Sequence, residues 1–349
     1  MQSQSAIGKE NNFGALRLLF ATLVIISHSP ALLGSGKEPT IGPLTFGSVA
    51  VDGFFLVSGF LVTKSFASSR GLISYFKKRV LRIYPGYVIN FAFCILLIAP
   101  FVGAGHAMFR PSALLSEMAR VVRLGAPEAV GAFADMPYPA LNGSAWTIAY
   151  EFKCYIAIAM LGYLGFLRPK YRLAMLVGVV VFLVLNVVNL LPSTTGALNA
   201  ILGDPPQVIR FASIFGTGML FYLFGEQISY RSDFALAALV AGGALIYLTP
   251  ALAEFALTVL GGYLIFWFAF NFRVLGISRF TNRVDLSYGI YLYAFPIQNS
   301  IAYFDRSISP WRLSLVALVL SAIMAYVSWS VIEKPALKLA HRTSASTLH

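Results

Sequence analysis

The sequence predicts an all-α, polytopic membrane protein of about ten transmembrane helices with both termini on the cytoplasmic side. Three observations predict it. Of 349 residues, 58% are hydrophobic and only 11% are charged, against roughly 25% charged in a soluble domain. The mean hydropathy is +0.75. Apolar runs of about 20 residues, the length that crosses a bilayer, recur along the whole chain.

Ten such runs fall near residues 15–33, 46–63, 84–103, 146–167, 173–191, 207–228, 234–250, 254–272, 286–305 and 313–333. The first lacks a strongly basic flank and an A-x-A site, and it contains Arg17 and His28, so it reads as a retained helix rather than a signal peptide. With both termini inside, seventeen Lys and Arg fall on the inner side and seven on the outer. That bias sets the orientation as N-in, C-in. The longest connection, 104–145, then lies outside; it is rich in Pro and Gly, with an amphipathic stretch at 112–124. Residues 12–340 read as one ten-helix domain, and 1–11 and 341–349 as short cytoplasmic tails.

The net charge of +12 sits between apolar runs, with no separate basic module, which fits membrane topology and excludes nucleic acid as a partner. Cys94 and Cys154 lie inside apolar runs and suggest neither a disulfide framework nor a metal site.

Ionisable groups inside spans are costly and point to function. Arg17, His28, Asp52 and Glu151 are the clear cases, with Lys153 and Glu226 less central. Arg17 and His28, eleven residues apart, share one helical stripe and are separated by roughly 16 Å along the axis. The alternative for Arg17 is a snorkelling anchor, and for His28 a helix-packing hydrogen bond. Glu151 is expected at a depth similar to that of His28, and a carboxylate beside an imidazole can orient it for proton abstraction. Thr147 and Tyr155 share its face. A purely structural carboxylate, satisfied by Lys153 or backbone donors, is the competing reading. Asp52 opens the run DGFFLVSGF, whose Ser58-Gly59 pair also suits close helix packing. Lys77, Lys78, Arg79 and Arg82 cluster at the mouth of the third helix, where they suit either anionic lipid or a phosphorylated cofactor.

Taken in order, these motifs resemble those of the integral-membrane acyltransferase family 3. The resemblance covers roughly residues 12–340. It rests on Arg17…His28, on Asp52 through Phe60, on RVLRIYPGY at 79–87, on Trp146 through Glu151, on SYGIYL at 287–292, and on Glu333-Lys334-Pro335. The resemblance implies a cytoplasmic acyl-CoA donor, expected to be acetyl-CoA, no metal, and a bacterial inner-membrane setting. It implies that Arg17 and His28 are the essential pair and that Arg79 and Arg82 contact the CoA. The reading of the residues adds Glu151 to the catalytic set, Lys78, Ser58 and Tyr84 to donor binding, and Asp52, Trp146 and Tyr155 to acceptor binding. Ser58 and Trp146 are also candidate oxyanion donors. Many members carry a His where this chain has Ala294, followed by Phe295-Pro296.

The expected reaction moves an acyl group from acyl-CoA to a hydroxyl of a carbohydrate presented on the outer side, with membrane lipid around the enzyme and glycan-assembly proteins as further partners. His28 acts as general base with Glu151. Two other readings are an acyltransferase for a diffusible small molecule and a non-catalytic transporter or flippase of a lipid-linked glycan.

Overall fold

The computed structural model describes residues 11–105, 110–272 and 275–342. The two outermost tail segments, with Lys9, and the inner-loop residue Arg273 lie outside the described residues.

Each of the ten expected runs contains a helix. These are α1 (Phe13–Leu32), α2 (Phe46–Ala67), α3 (Leu72–Ala92), α5 (Trp146–Tyr163), α6 (Arg172–Val188), α8 (Pro205–Leu223), α9 (Ser232–Leu248), α11 (Gly262–Asn271), α13 (Ser287–Phe304) and α14 (Pro310–Ser328). Shorter helices are α4 (Pro111–Arg123), α7 (Ala197–Leu202), α10 (Ala253–Ala256), α12 (Leu275–Arg283) and α15 (Lys334–Arg342). A two-residue antiparallel hairpin, Thr40–Ile41 with Leu44–Thr45, precedes α2. Six segments are long and apolar enough to cross a membrane: Phe13–Leu32, Phe46–Ala67, Leu72–Phe101, Pro169–Val188, Pro250–Asn271 and Pro310–Leu339. The protein is thus an all-α, multi-pass membrane protein.

The sequence sets the helix ends. Thr45 caps α2, its hydroxyl accepting from the Ser48 amide at 3.1 Å. Proline opens α4, α8 and α14, where its missing N–H costs nothing. Wider π turns at Phe93–Ile98, Leu257–Gly261 and Trp329–Glu333 extend α3, join α10 to α11 and join α14 to α15.

The chain forms two compact units. One comprises Met1–Phe20, Thr40–Tyr75 and Tyr150–Arg283; the other comprises Ala21–Pro39, Phe76–Ala149 and Val284–His349. In the first, α2 and α8 meet backbone to backbone. A Cβ on Gly59 would lie 2.1 Å from the Phe215 carbonyl oxygen, and one on Gly218 would lie 2.1 Å from that of Leu56. Small residues at such a crossing are how membrane helices approach closely.

In the second unit, α13 is buried along most of its length. Pro296 cannot donate to the Leu292 carbonyl, four residues back. That oxygen is taken instead by the side-chain amides of Asn90 at 3.0 Å and Asn142 at 2.9 Å. Neighbouring side chains commonly satisfy a carbonyl that proline frees within a membrane helix.

The connection 104–145 packs against α3 and the segment that follows it. Its amphipathic stretch is helical, as α4, but the chain after α4 turns back along α3. Tyr84 Oη donates to the Val122 carbonyl at 2.8 Å, and Tyr87 Oη donates to that of Gly125. Further along, the Phe133 amide donates to the Val102 carbonyl at 2.8 Å. Tyr87 and Val102 are separated by about 20 Å along α3 at 1.5 Å per residue. The connection therefore meets α3 at Tyr84 and Tyr87 and the chain beyond it at Val102, and Arg120 and Arg123 lie near the first of these contacts.

Candidate active site

His28 projects from α1 one turn before its end, in the second unit. Its ring meets Phe295 edge to face, with centroids 5.6 Å apart. Phe295 is held in turn by the chain at Gly143, where a Cβ would lie 2.5 Å from the ring. Below His28, Gln298 Nε2 donates to the Ile25 carbonyl at 2.8 Å and to Ser29 Oγ at 2.7 Å. These contacts fix this end of α1. The His28 side chain stays 25% exposed, enough for a substrate to reach it, and its Nδ1 lies 3.8 Å from Glu38 Oε1. Glu38 was not among the expected site residues.

Glu151 lies in the first unit, on α5. Its Oε1 accepts from Ser58 Oγ at 2.6 Å and from Tyr155 Oη at 2.8 Å. The structure thus brings together three of the expected residues, Glu151, Ser58 and Tyr155, around one carboxylate oxygen. Hydrogen bonds to a charged acceptor are worth more than neutral ones, about 1.5–3 kcal/mol. Lys153 lies over the Tyr150 ring, its Nζ 4.6 Å from the centroid, rather than on Glu151. Arg17 is half-buried on α1 within the first unit.

Trp146, at the start of α5, is 40% exposed and belongs to the second unit. Thr147, expected on the Glu151 face, shares a 2.6 Å hydrogen bond with Tyr291, whose hydroxyl also donates to the Ser144 carbonyl at 2.8 Å.

Asp52, expected at the acceptor, is fully buried and bound to Arg210 Nη2 at 2.5 Å. Arg210 Nε pairs with Glu254, and Asn186 Nδ2 donates to Glu254 at 3.2 Å. This is a polar network joining α2, α6, α8 and α10, and it gives Asp52 a structural partner. The signal that could have found the network was a lone buried Asp in one span and a lone Arg one turn and a half into another.

At the basic end of α3, Arg82 Nη2 binds Asp285 at 2.6 Å, and its guanidinium carbon lies 5.6 Å from the Tyr288 ring centroid. Asp285 is held by the Ser287 hydroxyl at 2.6 Å. Asp285 therefore already neutralises Arg82, while Lys77, Lys78 and Arg79 lie half-buried beside it in sequence. Tyr84, expected at the donor, spends its hydroxyl on the Val122 carbonyl.

Comparison with known proteins places this geometry. No solved structure gives a significant match. The chain is similar to nodulation protein 10 of Rhizobium leguminosarum bv. viciae, at 30% identity over 98% of this chain and 96% of that protein. It is similar also to an O-acetyl transferase of Shigella phage Sf6, at 26% identity over 93% of this chain and 96% of the relative. The family model described as an acyltransferase domain, Acyl_transf_3, matches residues 10–333, nearly the whole of both units. The chain belongs to this acyltransferase family.

Proposed function

We propose that the protein is a multi-pass O-acetyltransferase of the bacterial inner membrane, which moves acetyl from cytoplasmic acetyl-CoA to a hydroxyl of a cell-surface or lipid-linked polysaccharide. The observation that carries this reading is an accessible imidazole on a membrane-spanning helix of an acyltransferase. The similarity to the O-acetyl transferase of Shigella phage Sf6 favours oxygen as the acceptor atom and acetyl as the group.

In this reading His28 Nε2 takes the proton of the acceptor hydroxyl. The oxygen attacks the thioester carbonyl, the C–S bond breaks, and the imidazolium returns the proton to the departing thiolate. The products are the acetyl ester and free CoA. A positioned general base contributes about 10² to 10⁴ in rate, so alignment of donor and acceptor must supply much of the remainder. The basic end of α3, with Lys78, Arg79 and Arg82, receives the CoA phosphates, and Arg17 serves the reaction as a further cation. Glu151, fastened by Ser58 and Tyr155, and the exposed Trp146 serve the same reaction.

The test is acyl analysis of envelope glycans from cells with and without the gene, together with labelled acetyl-CoA and washed membranes. The reading requires a gene-dependent O-acetyl group that carries the label. An unchanged acylation pattern would remove the polysaccharide as acceptor.

A further inference from the structure

Among the described residues of its own unit, the carboxylate beside His28 is that of Glu38. After α1 the chain turns at Gly34, whose φ of +61° only a residue without Cβ adopts freely, and comes back to the end of the helix. Glu38 is 21% exposed, and its two oxygens have separate duties. Oε2 accepts from the hydroxyl of Ser27, a residue wholly enclosed in the protein. Oε1 faces His28 Nδ1 at 3.8 Å. Phe295 closes on the ring edge to face. Ser27 and His28 are sequence neighbours, so the helix that presents the imidazole also holds the anion beside it.

We propose that Glu38 is the positioning residue of His28: it keeps the proton on Nδ1, leaves Nε2 free to receive the acceptor's proton, and stabilises the imidazolium that forms. This rests on His28 being the base. The chemistry is that of an acid–base pair in which a fixed carboxylate selects the tautomer of a working imidazole. The 3.8 Å separation is beyond hydrogen-bond range, and such contacts commonly shorten only when substrate is bound. A Glu38 that only anchored the loop would need Ser27 but not His28. Glu151, in the first unit, is held by Ser58 and Tyr155.

The experiment uses the full-length protein in lipid nanodiscs, with acetyl-CoA and membrane glycan as substrates, and compares Glu38→Gln, Glu38→Asp, Ser27→Ala, His28→Ala and the double variant His28→Ala/Glu38→Gln. Thermal midpoints identify any variant that fails to fold. Glu38→Gln should lower kcat about a hundredfold with KM within about threefold, because the interaction matters in the transition state. Glu38→Asp should restore part of the loss, and Ser27→Ala should fall between Glu38→Gln and the parent. In the His28→Ala background, Glu38→Gln should cost nothing further. If His28→Ala is inactive while Glu38→Gln keeps kcat within about threefold of the parent, the positioning role is wrong and the base stands. If Glu38→Gln lowers the residual rate of His28→Ala as much as it lowers the parent's, Glu38 acts independently and the proposal is overturned. Full activity in folded His28→Ala removes the base itself. Should Glu38→Gln not fold, Ser27→Ala and Glu38→Asp carry the same comparison.

Discussion

Arg210→Met isolates the buried network of the first unit. Arg210 bridges two carboxylates, Asp52, which is fully enclosed, and Glu254, whose side chain is 26% exposed. Methionine roughly fills the aliphatic volume but leaves both carboxylates without a cation. Removing one partner of a buried ion pair costs about 3–5 kcal/mol. Asp52 should supply most of that. Glu254 keeps the Asn186 amide and some exposure, so its share is small, and a total of about 3 kcal/mol is expected. Asp52→Asn added to Arg210→Met removes the stranded charge and should recover more than half of the loss. The assay is chemical unfolding in detergent, following helix content for the parent, the single variants and the double variant. An Arg210→Met protein within about 0.5 kcal/mol of the parent, the size of an ordinary surface change, would refute the argument. So would a double variant no more stable than Arg210→Met alone.

Gly59→Ala should destabilise the first unit by about 1–3 kcal/mol through overpacking, because its Cβ meets backbone at Phe215, and a backbone cannot rotate aside. An unchanged melting midpoint would show that α2 and α8 are farther apart than described. Arg82→Lys keeps the charge but loses the planar fork that meets Asp285 and faces Tyr288. It should raise KM for acetyl-CoA about tenfold, equivalent to about 1.4 kcal/mol, and lower the melting midpoint. A falling midpoint with unchanged KM would make Arg82 a tether between α3 and α13 and take it out of donor binding.

Much of the fold was legible because apolar run length is a direct image of bilayer thickness. Of the ten runs read from sequence, those at α5, α8, α9 and α13 fall outside the six segments that are long and apolar enough to cross. Three of the four carry the polar groups that build the interior networks: Glu151 on α5, Arg210 on α8, and Gln298 and Asn299 on α13. Such polar groups lower the hydropathy of the helices that bear them, whereas α1, which carries His28, stays apolar enough to cross. The path of the connection 104–145 was not legible for a different reason: a charge count has no term for a chain that doubles back along a helix. The tyrosines at 84 and 87, which tie Val122 and Gly125 to α3, could equally have been interfacial aromatics.

The candidate site divides in the same way. His28, Glu151, Ser58 and Tyr155 could be named from residue type and helical spacing. The last three do meet, since i and i+4 on α5 face one way and a short Ser reaches across from α2. Glu38 could not be named, because a loop carboxylate after Lys37 looks like a solvated charge until the turn at Gly34 is known. Arg210, the partner of Asp52, could not be named, because it is 158 residues away in sequence.

The most direct test of the account is acetyl transfer from labelled acetyl-CoA by purified, folded His28→Ala protein in nanodiscs. Loss of a general base predicts a rate at least about a hundredfold below the parent, with acetyl-CoA still bound. Transfer at the parental rate by a variant with an unchanged melting midpoint would contradict it.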